Sequence, residues 1–119
     1  MVEAGQLLGL GRVRFIANEV EIKGARKRVD LVFQTEDNYF IIVESKASKT
    51  SKSLLGNHVK KGIEQLKEYK ELIEKNGLDL NKEGLGIVRR ENIKAYVVVY
   101  VFFDLENKEL KVGYEPLLP

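Results

Sequence analysis

At 119 residues, 44% apolar and 32% charged, the chain has the size and composition of one globular domain, which excludes both a disordered tail and a separate substrate domain within it. With no cysteine and one histidine, His58, it has no means of building a disulfide framework, a zinc ribbon, a thiol nucleophile, a cysteine-held iron–sulfur cluster or a multi-histidine site, so any metal must be held by oxygen. The net charge of +2 is small but uneven: residues 1–61 hold eleven Lys/Arg against seven Asp/Glu, and residues 62–119 hold nine against eleven.

In chain order, residues 1–10 are compatible with a short amphipathic helix ending at Gly9 and Gly11. Arg12–Ile22 alternates, with a change of phase that predicts a strand bulged near Asn18. Arg28–Gln34 and Tyr39–Ala47 are rich in β-branched and aromatic residues and are separated by the polar turn Thr35–Asn38, which predicts a hairpin. Residues 48–57 are polar and contain Gly56, so a loop is expected there, with Asn57 as helix N-cap. Val59, Ile63, Leu66, Tyr69 and Ile73 recur at helical spacing before Asn76-Gly77, which predicts a helix over 58–75. Residues 78–92 read as a loop with one helical turn. Ala95–Asp104 is a continuous apolar run, expected to be a central strand covered on both faces, and Glu109–Tyr114 an edge strand ending before Pro116. The order α, β, β, β, α, β, β predicts a single α/β domain over 1–119, a mixed central sheet flanked by helices.

The chemistry-bearing feature is an acidic residue inside an apolar strand, Asp30 in Val29-Asp30-Leu31-Val32-Phe33, followed by Glu44-Ser45-Lys46 near the end of the next strand. An unpaired buried carboxylate costs several kcal/mol, roughly, and a divalent cation is one way to offset that cost. A hairpin folded about Glu36-Asp37 sets Asp30 opposite Val43 or Glu44, where facing Cβ atoms stand about 5 Å apart, so two carboxylates can share one ion. Glu44 and Lys46, two apart, leave the strand on the same face. Oxygen ligands of this kind suit Mg2+ or Mn2+, and a lysine beside them suits hydrolysis of a phosphodiester.

Asp30, Glu44-x-Lys46 and then Gln65-Leu66-Lys67-Glu68-Tyr69 on the following helix together resemble the PD-(D/E)xK nuclease superfamily, in particular its RecB-like and phage lambda exonuclease-like branch with a Q-x-x-x-Y element. The likeness runs from about residue 3 to residue 73. It implies a restriction-endonuclease-like αβββαβ core and metal-dependent hydrolysis of DNA. It also implies Asp30, Glu44 and the Ser45 carbonyl as metal ligands, a catalytic Lys46, and Gln65 and Tyr69 as further site residues. The family's first helix usually offers a Glu to the site, and Glu3 is the candidate. Val29 stands where the nominal motif has proline, the first helix is unusually short, and the lack of cysteine sets the chain apart from the iron–sulfur branch.

Plainer readings exist for each residue. Asp30 can pair with Arg28 or Lys46, Glu44 and Lys46 can form a surface ion pair, Tyr69 can be a core aromatic, and Glu19 and Glu21 are expected to point outward. Arg28, Lys49, Lys52, Lys60 and Lys61 are candidates for contact with a DNA backbone, and His58 is expected at the surface. The expected partners are DNA and a second copy of the chain rather than a membrane. No window approaches the roughly eighteen apolar residues of a membrane span and the start lacks a signal pattern, so a cytoplasmic location is expected. Two further functions fit the same residues: a non-catalytic nucleic-acid-binding or assembly module, and a dimeric Holliday-junction resolvase, which requires two sites.

Overall fold

Seven strands and one α-helix make up the described residues, 11–50 and 52–117, of the computed structural model; the helix predicted over residues 1–10, and Glu3 with it, lies outside them. Strands β1 (Val13–Glu21), β2 (Arg28–Thr35) and β3 (Phe40–Thr50) lead into helix α1 (Lys52–Asn76). Then come β4 (Leu78–Leu80), a 3-10 turn at Asn81–Glu83, β5 (Gly86–Val88), a second such turn at Arg90–Asn92, β6 (Ile93–Asp104) and β7 (Glu109–Pro116). The main sheet is mixed, in the order β1-β2-β3-β6-β7, with only the β3/β6 pair parallel. The chain is therefore α/β. The middle strand is β3, and the apolar run predicted as central lies one place further out, between β3 and the edge strand β7.

The sheet carries two apolar faces because its strands alternate. Phe40 and Ile42 of β3, with Tyr96 and Val98 of β6, pack on the α1 side against Leu66, Tyr69 and Ile73. Ile41, Val43 and Val97 form a second cluster on the other side with Val13. The bulge in β1 falls between Phe15 and Ala17, earlier than the predicted Asn18. It carries Ala17 and Val20 into the α1-side core, whereas Val13 belongs to the other. Phe15 is left exposed, edge-on to Phe33 at 5.8 Å.

Three boundaries differ from expectation for identifiable reasons. The loop expected over 48–57 is not seen at residues 48–50 and 52–57: β3 continues to Thr50 because β6 pairs with it as far as Asp104, and α1 begins at Lys52, which puts Asn57 inside the helix. The helical spacing does extend back through Leu55, four residues before Val59, but Gly56-Asn57 masks it. Residues 78–92 carry two 3-10 turns where one helical turn is expected, and Leu78–Val88 also pair as the short hairpin β4/β5, which an Ile22–Leu78 bridge ties to the chain just after β1. Strand β7 runs on to Pro116, whose missing N–H is tolerated at a sheet edge. The end of α1 is as predicted: Gly77 takes φ 89° and returns its N–H to Ile73 O at 2.7 Å, and a Cβ there would collide with Ile87. No described helix is long and apolar enough to cross a membrane.

Candidate active site

Strand periodicity and register bring the carboxylates together. Val32 of β2 and Ile42 of β3 both face α1, so Asp30, two residues before Val32, and Glu44 and Lys46, two and four after Ile42, share that side of the sheet. The β2/β3 ladder pairs Leu31 with Val43, which makes Asp30 and Glu44 the next facing pair. The ladder ends there, while β3 continues against β6 alone, so the two strands part at this point. The carboxylate of Asp30 occupies the fork: its Oδ2 accepts the Ser45 N–H at 2.9 Å and the Ser45 hydroxyl at 2.9 Å.

Glu44 is 3% exposed, and its Oε2 has no hydrogen-bond partner. Burial, followed by its hydrogen bond to Asp30 and the charge there, pushes its carboxyl up to about 8, with Lys46 opposing. Burial acts on Asp30 in the same upward sense, but hydrogen bonds from Glu44 and Ser45, with the charge of Lys46, outweigh it and hold its carboxyl below the ordinary carboxylate range. The pair therefore shares one proton that resides on Glu44. Asp104 shows what a satisfied buried carboxylate looks like in the same sheet. It is fully buried, but it caps the turn after β6, accepting from Glu106 N at 3.0 Å, Asn107 N at 3.3 Å and Asn107 Nδ2 at 3.0 Å.

Helix α1 supplies the other half. Lys46 Nζ donates to Gln65 Oε1 at 2.6 Å, and Gln65 Nε2 donates to the Tyr69 hydroxyl at 2.6 Å, a chain that the i, i+4 spacing of Gln65 and Tyr69 makes possible. Burial pushes the Tyr69 hydroxyl up, so it stays protonated at neutral pH. Gly62 is the gap through which the lysine passes: a Cβ there would stand 3.1 Å from Val98 Cγ1 and 3.3 Å from Lys46 Cγ.

Asp30, Glu44, Ser45, Lys46, Gln65 and Tyr69 thus meet in one place. Glu3 and the side chains of Lys49 and Lys52 lie outside the described residues. Arg28 is exposed and lines a depression with Glu21 and Asp79, while Lys60, Lys61 and His58 are exposed on α1 and Glu19 and Glu21 on β1. Among the described residues no three acidic or histidine side chains converge as a ready metal cage. No protein-family model matches the chain, and neither a curated protein nor a solved structure matches it.

The residues themselves fit a hard divalent cation: two facing carboxyl groups, one carrying a buried oxygen without a partner, with no sulfur or imidazole ligand beside them among the described residues. Three residues near this site escape sequence reasoning. The signal for Gly62 was present, a glycine inside the most regular helical pattern of the chain. Lys27 and Glu68, joined at 2.8 Å across the β1–β2 turn and α1, gave none, because their pairing depends on how the helix lies on the sheet.

Proposed function

We propose that the chain is a metal-dependent deoxyribonuclease with a restriction-endonuclease-like core. The observation that carries this reading is the facing Asp30–Glu44 pair, with Glu44 buried and one of its oxygens unpartnered, beside a lysine held by the Gln65–Tyr69 chain. Asp30, Glu44 and the Ser45 carbonyl would hold Mg2+ or Mn2+, which when bound supplies an acidified water and neutralises charge on a phosphate. Gln65 takes one of the three ammonium donors of Lys46 and leaves the others to orient a water or bind the developing oxyanion. Tyr69 fixes the Gln65 amide so that its oxygen faces Lys46. The ion-pair alternative for Glu44 and Lys46 fits less well, because the lysine is bonded to Gln65 and Glu44 retains its proton.

Calorimetric titration of Mn2+ into wild type and Glu44→Ala, with cleavage of linear duplex, single-stranded and four-way-junction DNA measured alongside, tests the proposal. Binding that is lost in the variant, together with metal-dependent cutting, is expected. A wild type that binds no divalent cation and cuts none of the three substrates replaces this reading with the non-catalytic module.

Gly62→Ala offers a subtler check. Helix propensity favours alanine by about 1 kcal/mol, but Val98 is fully buried, so the lysine stem must give way. The expected result is a melting temperature close to wild type with cleavage reduced by about tenfold or more, a loss typical of a misplaced reacting group. Unchanged cleavage rates would mean that the position of Lys46 is irrelevant to turnover.

A further inference from the structure

The β1–β2 connection, residues 22–27, and the first residue of β2 carry Lys23, Arg26, Lys27 and Arg28 and no carboxylate. All four cations are exposed, and Lys27 is the one for which the described residues provide an ion pair. Its partner is Glu68 of α1, at 2.8 Å, with both side chains about half exposed. Glu68 lies between Gln65 and Tyr69 in the chain, and Lys27 Nζ sits 6.0 Å from the centre of the Tyr69 ring. The cationic turn therefore reaches the rim of the site from one side, three residues before Asp30. On α1, Lys61 stands four residues before Gln65 and seven before Glu68, on the same stripe of the helix.

Two facing carboxyl groups repel a polyanion, so a nucleic-acid site built on them needs cations around it. An exposed ion pair is worth little in water, and a phosphate group exchanges readily for a carboxylate on a lysine. We propose that the β1–β2 turn grips the phosphodiester backbone of the substrate through Lys27, and that Glu68 is an internal competitor which occupies Lys27 until a phosphate displaces it. The proposal rests on the nuclease reading for its ligand but not on turnover. It adds Lys27 to the backbone contacts and gives Glu68, at the edge of the site, a restraining role.

Equilibrium binding of a fluorescent DNA duplex in chelator, where metal-dependent cutting is silent, reads this directly across a range of salt concentrations. Lys27→Gln is expected to weaken binding and to lower the slope of log affinity against log salt by about one, the loss of one phosphate contact. Glu68→Gln is expected to tighten binding several-fold, and that gain should vanish in the Lys27→Gln background. Both residues are exposed, and thermal melts check that each variant folds. A wild type whose salt slope is unaffected by Lys27→Gln, or a Glu68→Gln gain that persists without Lys27, overturns the assignment whether or not the protein cuts DNA. Full coupling between the two residues in a protein that cuts nothing with any divalent cation keeps the assignment and removes the nuclease reading instead.

Discussion

Asp30→Ala, Glu44→Ala and Lys46→Ala are each expected to lower metal-dependent DNA cleavage by about 10²–10⁴-fold while leaving the fold intact. Each removes a different part of one unit: Asp30 positions Ser45, Glu44 contributes the oxygen with no other partner, and Lys46 is the cation aimed by Gln65. Because they act together, the losses should not multiply, and Glu44→Ala/Lys46→Ala should be about as inactive as either alone. Circular dichroism and a melting curve distinguish this from unfolding. Three variants that are folded and still cut at the wild-type rate would remove the site from the reaction.

Metal-free protein is expected to lose stability as pH rises from about 4.5 toward 8. The unfolded chain ionises Glu44 near its ordinary 4.5, whereas the folded protein keeps the proton until about 8. Between those values the folded state binds the extra proton, so its advantage is full below 4.5, falls by about 1.4 kcal/mol per pH unit, and is gone above 8. The total is a few kcal/mol. Asp30 has the opposite sign: its lowered carboxyl stabilises the fold above the ordinary carboxylate range, and that contribution is lost in acid. Glu44→Gln keeps a hydrogen-bonding group of the same shape but cannot ionise, so its stability should be nearly flat across the window, with a melting temperature at pH 9 about ten degrees above wild type. Asp30→Ala is expected to act the other way at neutral pH, because it removes a carboxylate that the fold stabilises and the acceptor of the Ser45 N–H and hydroxyl. Denaturant titrations of chelator-treated protein from pH 5 to 9 measure both profiles, and parallel curves for wild type and Glu44→Gln would contradict the shared proton.

What the sequence made legible is what depends on local periodicity. The hairpin register placing Asp30 beside Glu44 follows from the length of the Thr35–Asn38 turn, and the helical face joining Gln65 to Tyr69 follows from their spacing. What it hid depends on tertiary choices. The extension of β3 to Thr50 is driven by its parallel partner more than fifty residues later, and the early start of α1 is obscured by Gly56 and Asn57, which a long helix tolerates. The order β3-β6-β7, which moves the most apolar strand off centre, is likewise a matter of which edge the crossover reaches. Within the site, the function of Gly62 is invisible until the lysine that crosses it is seen.

The fork between β2 and β3 has a consequence for hydrogen exchange. Past Val43, every second amide of β3 points toward the side that β2 has left, and no described strand pairs with it there. At Ser45 the Asp30 carboxylate stands in for the missing strand, so that amide is guarded by a side-chain charge instead of a carbonyl. Its exchange rate thus reports the state of Asp30: slow while the carboxylate is ionised, fast once acid or substitution removes the charge. Ala47, two residues on and exposed, has no such carboxylate among the described residues and sets the reference within the same strand.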